Sequence, residues 1–180
     1  MKMKSGPRTA RQAAYLQRLT EAHDRTLKAI EGLDPSESVM DDWTVKDILG
    51  HLVSWNEEFR VNIELILQGI YPGYDHQISG EDNFASWNQD QIAQKRDLSF
   101  ERILEEFERD YQEAVQLILR LTPEEFRIAG LVSWNPIAKD NIEMLGEEDL
   151  DTVDSLVTFH WRHMNQHVNE IVKWRVSSGK

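Results

Sequence analysis

Apolar residues recur along this chain every three or four positions, with polar residues between them. That is the period of a helix with one buried face. In residues 10–30 the stripe is Ala14, Leu16, Leu19, Leu27 and Ile30, and it stops at Gly32 before Pro35. Thr44 opens a second helix, and Asp47 stands three residues on to complete a capping box. Val45, Ile48, Leu49, Leu52, Trp55, Phe59, Ile63 and Ile66 carry the stripe forward until Gly69 and Gly73, flanking Pro72, break it. Residues 74–81 read as a loop, and Asp82 is placed to cap a shorter third helix over 83–96. Ser99 caps a fourth, with Phe100, Ile103, Leu104, Phe107, Tyr111, Ala114, Val115, Ile118 and Leu119 on one face. Thr122-Pro123-Glu124-Glu125 gives a single turn, and 130–148 has no regular period. The last helix spans about 151–176, with Val153, Leu156, Val157, His160, Met164, Val168, Ile171 and Trp174 as its buried stripe. No useful length alternates with the period of a strand. The pattern predicts an all-α protein, a four-helix bundle with a short extra helix in the crossover. Residues 1–8 read as a flexible tail and 9–180 as one domain.

Composition narrows the function classes. A chain of 180 residues with 40% hydrophobic and 29% charged positions suits one ordinary globular domain. It has no cysteine, which excludes disulfides, thiolate ligands and a cysteine nucleophile and is compatible with the cytoplasm, the expected location. The basic N-terminus has no apolar core behind it, so it is not a signal peptide. No run reaches the roughly 18 apolar residues of a membrane span. With 20 Lys+Arg against 32 Asp+Glu the net charge is −12. An acidic surface repels phosphate, so neither nucleic acid nor an anionic membrane is expected as a partner. There is no glycine-rich phosphate loop, and Ser54, Ser86 and Ser133 lack a nucleophile-elbow setting.

The histidines carry the candidate chemistry. His160, His163 and His167 fall within eight residues of the last helix, and His51 lies in the second. His163 and His167 are one turn apart, so their rings can point the same way. A lone helical histidine is ordinarily a surface or hydrogen-bonded core residue. Three on or beside one apolar stripe each need a polar partner, which a metal supplies. His160 and His167 are too far apart along the axis to share an ion, so His163 pairs with one of them. The i,i+4 pair with His167 is favoured, with His51 as third ligand in an open three-histidine site. His160 is left to hydrogen-bond in the core or support the ligands. Glu57, Glu58 and Glu170 are rival groups, able to complete the sphere or act as a base, or simply solvated. The acidic run 147–151 suits a hard cation or the positive start of the last helix. Six tryptophans, Trp43, Trp55, Trp87, Trp134, Trp161 and Trp174, can line an apolar pocket or pack the core. They exceed what one bundle axis holds, which predicts a homodimer.

Two stretches carry a resemblance. Trp43-Thr44-Val45-Lys46-Asp47-Ile48-Leu49-Gly50-His51-Leu52-Val53-Ser54-Trp55-Asn56 resembles the W-S-V-K-D-x-L-x-H-L-x-x-W-E opening of the second helix in the DinB/YfiT-like superfamily. His163-Met164-Asn165-Gln166-His167-Val168-Asn169-Glu170-Ile171 is similar to its H-x-x-x-H-x-x-Q-I on the last helix. Trp87-Asn88-Gln89 and residues 98–108 resemble the middle of the ClbS/DfsB-like branch. The glutamate after the second tryptophan is Asn56 here, and Thr158-Phe159-His160-Trp161 stands where that branch has S-S-H-Y-x-W. The resemblance implies a divalent metal, nickel or zinc, held by His51, His163 and His167, and frequent homodimers. It also implies a metal-dependent hydrolase or thiol transferase acting on a small electrophile, with a low-molecular-weight thiol as a possible partner. The alternative it implies is a non-enzymatic binding or sequestering protein of ClbS/DfsB-like type, with the histidine cluster structural or vestigial. If the second and last helices run antiparallel, the metal lies towards one end of the bundle. Residues 32–43, aided by Trp43, Trp55 and Trp161, are then the expected substrate entrance, and 71–81 and 130–148 lie elsewhere.

Overall fold

A computed structural model describes residues 9–40, 42–70, 81–129 and 152–180, apart from the side chains of 81–84. Its helices are α1 (Ala10–Ile30), α2 (Val45–Leu67), α3 (Glu81–Lys95), α4 (Phe100–Arg120) and α5 (Val153–Ser178), with a 3-10 turn at Glu125–Arg127. Four of the starts are set by side-chain caps. Thr9, Thr44, Ser99 and Thr152 each accept from a backbone N–H three residues on, and Gln12, Asp47 and Ser155 return the bond. Asp82, expected as a cap, lies inside α3 instead. Aspartate is favoured both at the cap and in the first turn, so residue type alone does not separate the two. Gly69, at φ +73, closes α2, where the left-handed conformation suits glycine.

The helix directions follow from who meets whom. Arg11 pairs with Asp154, Arg25 with Asn165 and Asn169, and Arg175 with the carbonyls of Ala29 and Glu31. So α1 and α5 run parallel. Arg60 pairs with Glu113 and Arg120 with Glu64, which makes α2 and α4 parallel as well. Between these pairs the sense reverses. Gln12 reaches Leu121 while His23 stacks on Phe107, and His51 meets His163 and His167 while Phe59 meets Phe159. The bundle is therefore up-down-down-up, and a crossover must carry the chain back between α2 and α4. The short helix α3 lies in that crossover, packed on α2.

Burial and capping hold the frame. Leu52, Phe59, Ile103, Phe107, Val153, Leu156 and Ile171 are fully sealed from solvent. The Gln12 side-chain amide, itself buried, donates to the carbonyls of Ile118, Leu119 and Leu121 at 3.3, 3.3 and 2.8 Å. Those carbonyls are among the orphans that every helix C-terminus leaves, so one side chain of α1 closes the end of α4. The period analysis predicted no strand, yet Ser38–Met40 pairs antiparallel with Trp43–Thr44. Pieces of two and three residues are too short to show alternation. This small hairpin leads directly into α2, with Thr44 serving as both strand end and cap, and so sets Trp43 at the head of α2.

Candidate metal centre

The antiparallel pairing of α2 with α5 brings the first third of one against the middle of the other. His51 and His163 come within 3.2 Å, Nε2 to Nε2, and His163 and His167 likewise. All three nitrogens lie within 4.8 Å of one another, and among the described residues this is the one such group of histidines and carboxylates. Ligand nitrogens at about 2.0–2.1 Å from a tetrahedral zinc are about 3.3–3.4 Å apart, close to the two 3.2 Å contacts that His163 makes. The donor chemistry also fits. Burial holds His51 and His163 well below the usual imidazole value, and the charges of their histidine neighbours act the same way. They are therefore neutral at pH 7, as metal ligation requires.

The walls are aromatic. Trp43 lies 4.8 Å from the His51 ring and 6.3 Å from His167, centre to centre. Trp55 edges towards His51 and His163, Phe159 stacks parallel to His163 at 5.9 Å, and Phe59 stands across from it. Trp55 is itself fixed by Trp87 at 4.8 Å and by donating to Asn88 Oδ1 at 2.9 Å. The three histidines are left only 3–6% exposed.

The remaining candidates fall elsewhere. His160 is buried one turn before His163 and bonds Asn56 Oδ1 through Nε2 at 2.7 Å, and burial lowers its pKa to about 4. Glu170 does not face the cluster: its Oε2 accepts from His167 Nδ1, at 2.7 Å, on the far side of the ring. Burial alone raises that carboxyl, but the hydrogen bond and charge of His167, with Gln166, bring it below its usual value. Glu58 is taken by the Asn62 amide. Trp161 turns towards α1, beneath the guanidinium groups of Arg18 and Arg162 at 5.2 and 5.4 Å. Trp174 lies under Lys180. Each of the five described tryptophans thus has a partner within the chain, which reduces the aromatic surplus behind the dimer expectation. Trp134, the acidic run 147–151 and the stretches 71–80 and 130–148 lie outside the described residues. Trp43 and Trp55 stand beside the histidines where the sequence reading put them, whereas the Asn56–His160 bond and the Phe59 and Phe159 parts of the wall were not anticipated. Asn56 stood out only as a departure from the family pattern.

The family model of the DinB superfamily matches residues 9–171. No curated protein sequence matches the chain. Among solved structures, an uncharacterised protein from Escherichia coli UTI89 is similar at 16% identity and TM-score 0.71, over 97% of both chains. YfiT from Bacillus subtilis, described as "a probable metal-dependent hydrolase with an unusual four-helix bundle topology", is 16% identical with TM-score 0.65, over 99% of this chain and 94% of that one. The colibactin self-resistance protein ClbS, solved in complex with double-stranded DNA, is 12% identical with TM-score 0.64, over 96% and 98%. Identities this low show the fold alone. The last of them overturns one expectation: a protein of this fold is solved on a duplex, so an acidic net charge does not rule out nucleic acid as a partner. Net charge sums the whole surface, whereas a partner meets one face. Here Arg18, Arg25, Arg162 and Arg175 gather along the α1–α5 seam of a chain whose total is −12. No helix among the described residues is long and apolar enough to cross a membrane.

Proposed function

This chain belongs to the DinB superfamily, and from that premise we propose that it is a divalent-metal-dependent enzyme of hydrolase or thiol-transferase type, acting on a small electrophile. The observation that carries the reading is the convergence of the Nε2 atoms of His51, His163 and His167 at ligand spacing inside an aromatic shell. These three residues would hold the ion, nickel or zinc. When bound, the ion supplies Lewis acidity, which lowers the pKa of a coordinated water or thiol. The chain's own residues do the rest. Burial keeps the His51 and His163 imidazoles neutral. Trp43, Trp55, Phe59 and Phe159 exclude bulk water and favour an apolar substrate, with a low-molecular-weight thiol as the candidate second substrate. Trp43, carried by the hairpin before α2, packs against His51 and His167 from the 32–43 connection, so substrate enters beside it.

The near-closure of the cluster favours one second reading, a binding or sequestering protein whose histidines are structural. Metal content separates the two. Untagged protein purified after metal-replete expression should carry stoichiometric nickel or zinc by plasma mass spectrometry. Metal-free protein would reject the enzyme reading and favour sequestration.

A further inference from the structure

We infer that Glu170 is the positioning residue of this centre, holding the His167 ring in the one tautomer that offers Nε2 to the other two histidines; this rests on the metal reading above. Glu170 and His167 are three residues apart on α5 and so lie on one face. The carboxylate reaches back to Nδ1 at 2.7 Å, a charge-assisted distance, while Gln166 steadies its other oxygen at 3.4 Å. A carboxylate accepts and does not donate, so Nδ1 must carry a proton, and in the neutral ring, the form that binds a metal, Nε2 then holds the lone pair. The other two rings differ. His51 Nδ1 and His163 Nδ1 are buried with no hydrogen-bond partner among the described residues. Nothing described fixes their tautomers, and with three Nε2 atoms facing one another their protons can lie on either nitrogen. His163 Nε2 stands 3.2 Å from both neighbours, so in the metal-free protein it is the natural donor to the lone pair that Glu170 has set on His167. An ion needs all three lone pairs. On binding, the His163 proton must leave Nε2 for Nδ1 or solvent, whereas His167 needs no change. Glu170 thus arranges one ligand in advance and adds a negative charge beside the ion, the role carboxylates take behind metal-bound histidines.

The test has two arms. In the metal-free protein, two-bond nitrogen–proton couplings should show His167 as the Nδ1–H tautomer, and Glu170→Ala should turn it into a mixture. An unchanged His167 pattern in Glu170→Ala overturns the proposal. In the second arm, zinc affinity is read by competition against a chromophoric chelator. Glu170→Ala should bind about 10–100-fold more weakly, and Glu170→Gln, which still accepts from Nδ1, should recover most of that loss. Equal affinity of wild type and Glu170→Ala, or a Glu170→Gln variant as weak as the alanine, overturns it too. Should the wild type take no zinc at all, the metal reading falls, and the coupling arm still decides what Glu170 does to His167. Glu170 is partly open to solvent, so neither variant threatens the fold, and circular dichroism checks this.

Discussion

Lowering the pH should destabilise the metal-free protein, and a defined share of the loss belongs to His160. The ring is fully buried, bonds Asn56, and has its pKa lowered by burial from 6.5 to about 4. The sign follows from linkage. The unfolded chain takes up the proton first, near 6.5, so the contribution of His160 is complete above that pH. It is lost progressively as the pH falls towards 4, below which both states are protonated. Across that span of about 2.5 pH units, at about 1.4 kcal/mol each, the loss is about 3 kcal/mol. His160→Gln keeps an N–H for Asn56 but cannot titrate. Urea unfolding followed by circular dichroism at pH 7, 6, 5 and 4, with chelator throughout, measures both proteins. The variant starts lower, because its side chain fits less well, but should lose about 3 kcal/mol less between pH 7 and 4. Groups away from His160 are common to both proteins and cancel in the difference, with His163, on which His160 acts only as the least of several causes, the one neighbour affected. Parallel stability curves, differing in slope by less than about 0.5 kcal/mol over the range, would refute the claim that a neutral buried His160 resists protonation.

Other outcomes follow from the same geometry. His167→Ala should lose stoichiometric metal while its helical circular dichroism persists, because a core that extends well beyond the site, through residues such as Leu19, Ile103, Phe107 and Phe126, holds the helices; collapse of the helices would contradict this. Saturating zinc, at about a hundred times its Kd, should add about 2.7 kcal/mol and raise Tm by roughly 5–10 °C; complete unfolding on chelation would show that the bundle depends on the ion. Gln12→Leu removes the donor to the end of α4 and should cost about 1–3 kcal/mol in denaturant unfolding. Trp43→Ala should weaken binding of an apolar electrophile and leave zinc content intact, since the ring covers the histidines without ligating; loss of zinc instead would make it part of the metal-holding frame.

Much of this protein is local and could be read along the chain. The helix period, the Thr44–Asp47 box, the Ser99 cap and the break at Gly69 depend on residues within a turn of one another, and they reappear where expected. The i,i+4 pairing of His163 with His167 is of the same kind, since one helix turn puts the two side chains on the same face. That His51 joins them is not local. It depends on α2 running against α5, while α1 runs with α5 and α2 with α4, and a hydrophobic stripe has no direction. Nor does spacing say which nitrogen of His167 meets Glu170, or that Asn56 takes His160, because rotamer and packing settle both. Trp161 shows the same limit. One position from His160 in sequence, it is turned by the helix through about 100°, away from the histidines and under Arg18 of α1. Residue types and periods determined the helices and supplied the histidines; only the packing of antiparallel α2 and α5 decided which imidazoles converge.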